Sequence, residues 1–448
     1  MSQSKSQLVS PEAPSAPRKV LTIADAIAFF VGIVIGVGIF RTPPIVAATT
    51  GNEYLFIGAW IAGGLATLIG ALCYAELAAT FPDAGGEYQF LSRAYGKRLA
   101  VLFAWARGTV IQTGAIALVG FVFGDYAQQL LPLGPHGPAI YAALSVILFT
   151  AINVIGTRPG TGTQKLLEIM TVLAIIAVIV AGFAGGGGET KPAAPDAGGA
   201  LGLAMVLVLL SYGGWNEIAY LSGEMKDVRR DMTRAILIGT AVVTLLYVAI
   251  NLAFLKAFGL GGLAASNAPG ADLMYRVGGG AGVALLSITV CLSSLSTLNG
   301  TVFTGARVYY ALGRDLPPIR RLGVWNERGD NPVNAFMLQG AISLALVGFG
   351  TITRDGFSTM VDYTAPVFWL FLLLTGISLF VFRLREPSRE RPFKVPLYPL
   401  TPAIFVCICA YLLYASLAYT GWGALVGIVI VAIGLPFVWF GVREDTPS

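Results

Sequence analysis

The sequence predicts an all-α polytopic membrane protein of twelve transmembrane helices. The first ten form an inverted five-plus-five repeat with broken helices 1 and 6, and two more helices trail behind. Three observations predict this. Of the 448 residues, 56% are hydrophobic and only 12% are charged, with a mean hydropathy of +0.74. Twelve apolar runs follow one another along the chain. Two of these runs, at matching places in the two halves, are interrupted by glycine.

The scarcity of charge excludes whole classes of protein. A soluble domain carries roughly a quarter charged residues because its surface must face water. Half that proportion in so long a chain leaves too little polar surface for a soluble enzyme, a nucleic-acid binder or a disordered scaffold. The 55 glycines suit helices that pack closely in lipid. Cys73, Cys291, Cys407 and Cys409 all lie inside apolar runs. They read as small buried residues rather than a disulfide framework. Cys407 and Cys409, two apart, point to different faces of a helix, which argues against a metal pair.

A membrane-crossing helix needs about 20 mostly apolar residues. Runs of that kind fall near 22–48, 54–80, 99–131, 139–156, 166–185, 199–221, 235–257, 280–306, 333–350, 359–382, 399–419 and 422–441. Residues 1–19 read as a disordered tail and 442–448 as a short polar one. Between them lie a first five-helix unit (20–185), a second inverted one (199–382) and helices 11 and 12 (399–441). No cleavable leader is expected, since a polar stretch precedes the first apolar run. With the N-terminus cytoplasmic, 23 of the 29 basic residues fall on cytoplasmic segments and 5 on the other side. Arg107 lies within the third run. That bias orients the chain in the cell (inner) membrane with both termini cytoplasmic. The net charge of +5 is thus a topology signal and calls for no nucleic acid.

The first run contains Gly36-Val37-Gly38-Ile39-Phe40 near mid-membrane, followed by Arg41-Thr42-Pro43-Pro44. The sixth contains Ser211-Tyr212-Gly213-Gly214-Trp215-Asn216-Glu217. Glycine costs about 1 kcal/mol at a helix position, and proline removes a backbone donor. Glycine-interrupted spans at corresponding places in two inverted halves point to the binding site of a secondary transporter. A break at Gly36–Gly38 opens amides at the positive end of the second half-helix, which suits a carboxylate. A break at Leu210–Gly214 frees carbonyls, which suit an ammonium group. A zwitterion fits both, and a side chain added at Gly38 is expected to occupy the carboxylate's place. The competing reading is that these glycines merely allow tight helix packing.

Four stretches resemble the amino acid–polyamine–organocation superfamily, in particular its L-type amino acid transporter branch. They are Gly36 to Phe40, Gly70 to Leu77 with Gly85-Gly86-Glu87-Tyr88, Tyr212 to Asn216 with Glu224-Met225 and Arg234-Ala235-Ile236, and the Asn299-Gly300, Ala306-Arg307 and Glu390 to Pro396 group. The likeness runs from about residue 20 to 440. It implies alternating access on the five-plus-five repeat. It also implies a substrate carboxylate on the backbone of Val37, Gly38 and Ile39, with Gly36 opening the turn. The ammonium would meet carbonyls of Val34, Leu210, Ser211 and Gly213. Val37 replaces the serine usual between the two glycines, and Leu210 replaces a gating aromatic. Gly213 stands where carriers of cationic substrates hold an aspartate. Relatives that bond a single-span partner do so through a cysteine in the loop after the third span. Residues 132–138 contain none, so a disulfide-linked heavy subunit is not expected.

Ionisable groups at membrane depth are functional candidates because burying them unpaired is costly. Glu217 follows the sixth-run break and is expected to face the vestibule. It reads as a proton acceptor, a partner for a cationic substrate, or a structural hydrogen-bonding group. Glu76, near the cytoplasmic end of the second run, reads as structural or as an inner-gate partner. Arg107 needs an acidic or carbonyl partner, for which Glu76 and Glu217 both qualify. Asp25 and Asp362 sit near span ends, where they can reach water. The coupling ion is open between H+ and Na+, with plain exchange a third course. Relatives that use a fifth-span lysine would place it at or near Thr171, while Lys165 lies about two turns earlier. Ser293, Ser294 and Thr297 can offer oxygens to sodium, although hydroxyls in a lipid-buried helix usually bond their own backbone.

His136 lies in a short external loop and cannot build a metal site alone. The Gly185–Gly188 run with Pro192 and Pro195 makes a flexible external loop. No phosphate-binding loop, zinc-protease motif or nucleophile elbow is present, so neither an enzyme nor a cofactor is expected. The favoured reading is a secondary transporter or exchanger of a small neutral L-amino acid. The alternative is a carrier of cationic amino acids, polyamines or other amines.

Overall fold

The computed structural model describes residues 17–36, 38–185, 201–266, 268–352, 356–419, 421–436 and 438. Val37, most of both tails, and the glycine- and proline-rich stretch from 186 to 200 lie outside the described residues, as does the side chain of Asp362. Every described regular element is a helix, apart from two isolated β-bridges. Among the described residues, ten helices are long and apolar enough to cross a membrane.

The first run is three helices: α1 (Ile23–Val34), α2 (Gly38–Arg41) and α3 (Pro43–Thr50). Pro43 and Pro44 open α3 rather than break it, because the first turn of a helix has no use for their missing N–H groups. Next come α4 (Glu53–Thr80), α5 (Glu87–Tyr95) and α6 (Lys97–Ala106). A π-helical turn (Arg107–Ile111) joins α6 to α7 (Gln112–Leu130). Then follow α8 (Gly137–Ile155), α9 (Thr157–Ala184) and α10 (Leu201–Ser211). α10 gives way to a 3-10 helix, Trp215–Leu221. The second half continues with α11 (Val228–Ala265), α12 (Pro269–Asp315), α13 (Val333–Ile352), α14 (Gly356–Arg385), α15 (Leu400–Tyr419) and α16 (Gly421–Ile433). The described parts of the sixth run, divided at its glycines, and of the last, α16, are too short to be among the ten, against the twelve spans expected. The seventh and eighth runs prove longer than their apolar cores: α11 and α12 carry polar ends and bend at Gly259 and Gly279, where φ is positive.

α12 packs along α9 and α7, α4 along α11, and α1 against α9, α11 and α12. The broken first run is therefore enclosed by long helices. The segments that carry most basic residues gather at one end of the bundle. Leu21 pairs by backbone with Glu224 and Lys226. The Thr157 amide donates to the Gly329 carbonyl at 2.8 Å, and Arg314 meets Asp83 at 3.1 Å. Asp25 does not reach water: it is buried, pairs with Lys165 at 2.7 Å and completes the capping box of α1 with Thr22. Three cysteines are buried, as expected; Cys407 is exposed, and all four are unpaired.

The strongest tie at this end joins Arg307 of α12 to Glu224, just past the sixth run. Its two contacts are 2.5 and 2.9 Å, with both side chains fully buried. Removing one partner of such a pair leaves a bare buried charge, at a cost of about 3–5 kcal/mol. Arg307→Met is expected to lower the thermal unfolding temperature of the detergent-solubilised protein by several degrees, and an unchanged midpoint would contradict this role.

Candidate functional site

The two breaks lie against each other. α1 ends at Val34, and its last turn closes with the amides of Ile35 and Gly36 donating to Val31 and Val34, both at 2.8 Å. α2 begins at Gly38, so the amides of Gly38 and Ile39 have no acceptor within their own helix, as at every helix start. α10 ends at Ser211, and Gly214 turns the chain with φ 97° into the 3-10 helix. The Thr42 hydroxyl donates to the Gly38 carbonyl at 2.8 Å and lies 2.9 Å from Ser211 Oγ. Thus α2 and the end of α10 are bonded side by side. A Cβ built on Gly38 would meet Ser211 Cα and Oγ at 2.9 Å. This corrects the expectation that a side chain at Gly38 would simply fill the carboxylate's place. It would first collide with the sixth run.

Of the four carbonyls expected to face an ammonium group, those of Val34 and Ser211 converge. Both accept from one hydroxyl, that of Tyr247 on α11, at 2.8 and 3.0 Å. The phenol is held by edge-on contacts with Trp60 and Tyr212, at centroid distances of 5.8 and 4.9 Å. Tyr247 thus supplies a donor where the ammonium was expected. Nothing in the apolar run around it singled it out in the sequence. Leu210 does not join the group: its carbonyl accepts from the Gly213 amide at 3.1 Å, and its side chain is 47% exposed. Gly36, Gly38 and Gly213 are half-buried beside it, whereas Ile39 is fully buried.

Glu217 faces no vestibule. It is buried, and both of its oxygens take Arg107 Nη2, at 2.6 and 2.7 Å. Thr304 also donates to it, and Gln112 does so at 3.4 Å. Arg107 reaches a second carboxylate, Glu87, at 3.3 Å and stacks over the Tyr220 ring at 4.2 Å. Glu87 further accepts from Tyr74, from Tyr220 at 2.5 Å and from Asn216 at 3.2 Å. Burial pushes the Glu87 carboxyl above its ordinary range, against the pull of Arg107 and of the two phenols. The π turn that carries Arg107 loosens the backbone, and neighbouring side chains take up its carbonyls: Tyr309 donates to Gly108 at 2.5 Å and Tyr363 to Thr109 at 2.8 Å. π turns of this kind are frequent at functional sites. Arg107 therefore takes Glu217 and Glu87, and Glu76 belongs elsewhere. Glu76 binds Arg383 through both oxygens at 2.7 Å, Arg391 at 3.3 Å and the Val395 amide at 2.7 Å. This ties the segment after α14 to the second run.

The hydroxyls considered for sodium do not bond their own helix. Ser293 donates to the Ile35 carbonyl at 2.6 Å, and Thr297 to Gly32 at 2.9 Å. They satisfy carbonyls that the first break releases. Ser294 and Thr171 are fully buried, and neither hydroxyl has a partner. Glu168 was overlooked in the sequence because it lies three residues from Lys165, in what reads as the polar start of a span. It is buried on α9, and its Oε1 has no partner. Among the described residues, no group of three or more His, Cys, Asp or Glu side chains is placed to hold a metal.

The family model described as amino acid permease matches residues 21–440. Among curated proteins, the chain is similar to the rabbit (Oryctolagus cuniculus) large neutral amino acids transporter small subunit 2, 30% identical over 96% of this chain and 83% of that one. It is 29% identical to the human b(0,+)-type amino acid transporter 1, over 95% of this chain and 88% of the relative. It is 28% identical to the serine/threonine exchanger SteT of Bacillus subtilis (strain 168), over 96% and 98%.

Two substitutions test the site. Gly38→Ala is expected to reduce transport at least tenfold, whereas Gly58→Ala, with open space around its Cβ, leaves uptake unchanged; equal activity in both would discard the close approach of the two breaks. Glu217→Ala removes the closer of the two carboxylates that hold Arg107 and leaves it Glu87 at 3.3 Å, and is expected to destabilise the protein by about 3 kcal/mol, measured as a fall in thermal midpoint.

Proposed function

The chain belongs to the amino acid permease family, and on that premise we propose that it moves a small neutral L-amino acid across the membrane by alternating access. It is a multi-pass membrane transporter and not an enzyme. The observation that carries the substrate class is the pairing of complementary backbone at one place. Carbonyls of Val34 and Ser211 converge on a single donor, and the first turn of α2 presents amides next to them. One cluster accepts hydrogen bonds and the other donates them, as an ammonium and a carboxylate about one residue apart require. Unpaired backbone at this depth is tolerated only where it lines a cavity or meets a ligand.

In the twelve-span, five-plus-five reading, units 20–185 and 199–382 are inverted copies, with 399–441 trailing. Both termini then face the cytoplasm of a cell membrane. Supporting this orientation, the segments rich in Lys and Arg meet at one end of the bundle. In the same reading the cytoplasmic end is closed here, held by Arg307–Glu224, Arg314–Asp83 and the Glu76 cluster. Those ties must part for release to the inside. The alternative cargo, a cationic amino acid or polyamine, drew on Glu217. Both oxygens of that carboxylate are engaged by Arg107, so it is not free to take a second cation.

As coupling ion we propose the proton rather than sodium. Ser293 and Thr297 already donate to carbonyls of the first run, and the buried group with an oxygen left over beside them is a carboxyl, Glu168, which can take up a proton.

Uptake of labelled alanine, serine, leucine and phenylalanine into liposomes holding the purified protein is the direct test. Saturable uptake that unlabelled neutral amino acids suppress, and that carboxylate-free amines do not, is expected. No uptake of any of the twenty common amino acids would overturn the assignment.

A further inference from the structure

Glu168 sits about halfway along α9, behind the first break. It is 6% exposed. Its Oε2 accepts from Ser296 of α12 at 3.2 Å, and its Oε1 has no partner. A carboxylate in such surroundings is not tolerated as a bare charge: it takes up a cation or a proton.

The cations nearby are engaged elsewhere. On its own helix, Lys165 is bound to Asp25 of α1. On α12, Arg307 is bound to Glu224, and the Cys291 thiol turns toward the Phe123 carbonyl of α7. On α11, the Tyr247 hydroxyl donates to the first and sixth runs, and Lys256 to the Phe183 carbonyl. α8 contributes only Tyr141, which donates to Leu131.

A line of side chains leads from Glu168 to the end of the bundle where the basic segments gather. Asn331, in the loop before α13, donates to the Asn153 carbonyl at 2.6 Å. Asn153 donates to Asn299 at 2.9 Å, Asn299 to Gln164 at 2.9 Å, and Gln164 to Ser296 at 3.0 Å. Ser296 then donates to Glu168. Every bond points its donor toward the carboxyl group. The line holds Oε2 as an acceptor and leaves Oε1 as the atom that carries the hydrogen. α1 is pressed over this arrangement: a Cβ on Gly32 would lie 2.3 Å from Gln164 Nε2 and 2.5 Å from both Glu168 Oε2 and Ser296 Oγ. Movement of α1 away from α9 and α12 would uncover the carboxyl group.

We propose that Glu168 is the proton-carrying group of this transporter. It is protonated at Oε1 while α1 covers it, and it releases that proton to water when α1 tilts away and the end held by Arg307–Glu224 opens. Proton and amino acid then cross in the same turn of the cycle, since both sites lean on α1. This rests on the proton-coupled reading given above and names the group that performs it.

Reconstituted protein is assayed in two modes: net uptake driven by an acid-outside pH gradient, and exchange of labelled for preloaded substrate without a gradient. Wild-type uptake is expected to rise at least tenfold with the gradient. Glu168→Gln should lose that rise while exchange continues, and Glu168→Asp should keep it with a displaced pH midpoint. Wild-type protein that exchanges but ignores the gradient would overturn the coupling reading, and the role of Glu168 with it. A gradient response in Glu168→Gln equal to wild type would overturn the role of Glu168 alone. Loss of both modes in Gln and Asp variants alike would also overturn it, marking the carboxyl group as structural. Sodium-driven uptake abolished by Glu168→Gln would replace the proton with a metal cation.

Discussion

In the interior of a bilayer every peptide N–H and C=O must find a partner, since no water is present to supply one. An unbroken helix meets that demand by itself, and most of this bundle does so. The two glycine-rich breaks do not, and the surrounding structure is organised around the groups they release. Ser293 and Thr297 reach across from α12 to the carbonyls of Ile35 and Gly32. Tyr247 reaches from α11 to those of Val34 and Ser211. Thr42 joins the two breaks directly. The amides at the start of α2, and the Val34 and Ser211 carbonyls that share the Tyr247 hydroxyl, are the groups on which the proposed zwitterion site rests.

The same demand explains the ionic pairs. Arg107 lies deep in the bundle and is held by two carboxylates and an aromatic face. Arg307 and Glu224 stabilise each other's charge where no water reaches, with the Phe303 carbonyl and ring adding to the hold on Arg307. Such pairs contribute little net stability when intact, yet are costly to break. They suit a protein that must hold one arrangement firmly and exchange it for another as a unit. Glu168 stands apart from this pattern, because it is buried without a cation. It is the place where the interior demands a mobile charge rather than a fixed one.

Much of the fold was legible in the sequence because membrane crossing is a one-dimensional constraint. The length and apolarity of a run identify a helix, and the distribution of Lys and Arg sorts its ends. The long helices therefore fall where the apolar runs do, although α11 and α12 extend well past theirs. The two breaks were legible for the same reason, since each is a cluster of glycines within a few consecutive residues of an apolar run. Side-chain partnerships were less accessible. Arg107 could be seen to need an acid, but the choice of Glu217 and Glu87 over Glu76 depends on how α4, α5 and the 3-10 helix turn about their axes. Glu87 read only as part of a family motif. Tyr247 was invisible, because a tyrosine in an apolar helix has no distinctive neighbours in the chain.

The sequence by itself therefore determined the class of protein, its main helices and the two broken spans, all properties written in consecutive residues. Tertiary structure alone decided that the Leu210 carbonyl is turned back on Gly213 while those of Val34 and Ser211 converge. It also decided that Glu217 is paired with a cation and that Glu168 has no partner at Oε1. The physical reason is one of range. Helix formation and membrane insertion depend on neighbours within a turn or two, whereas the state of a buried charge depends on whatever lies within a few ångströms, and those groups come from helices far apart in the chain.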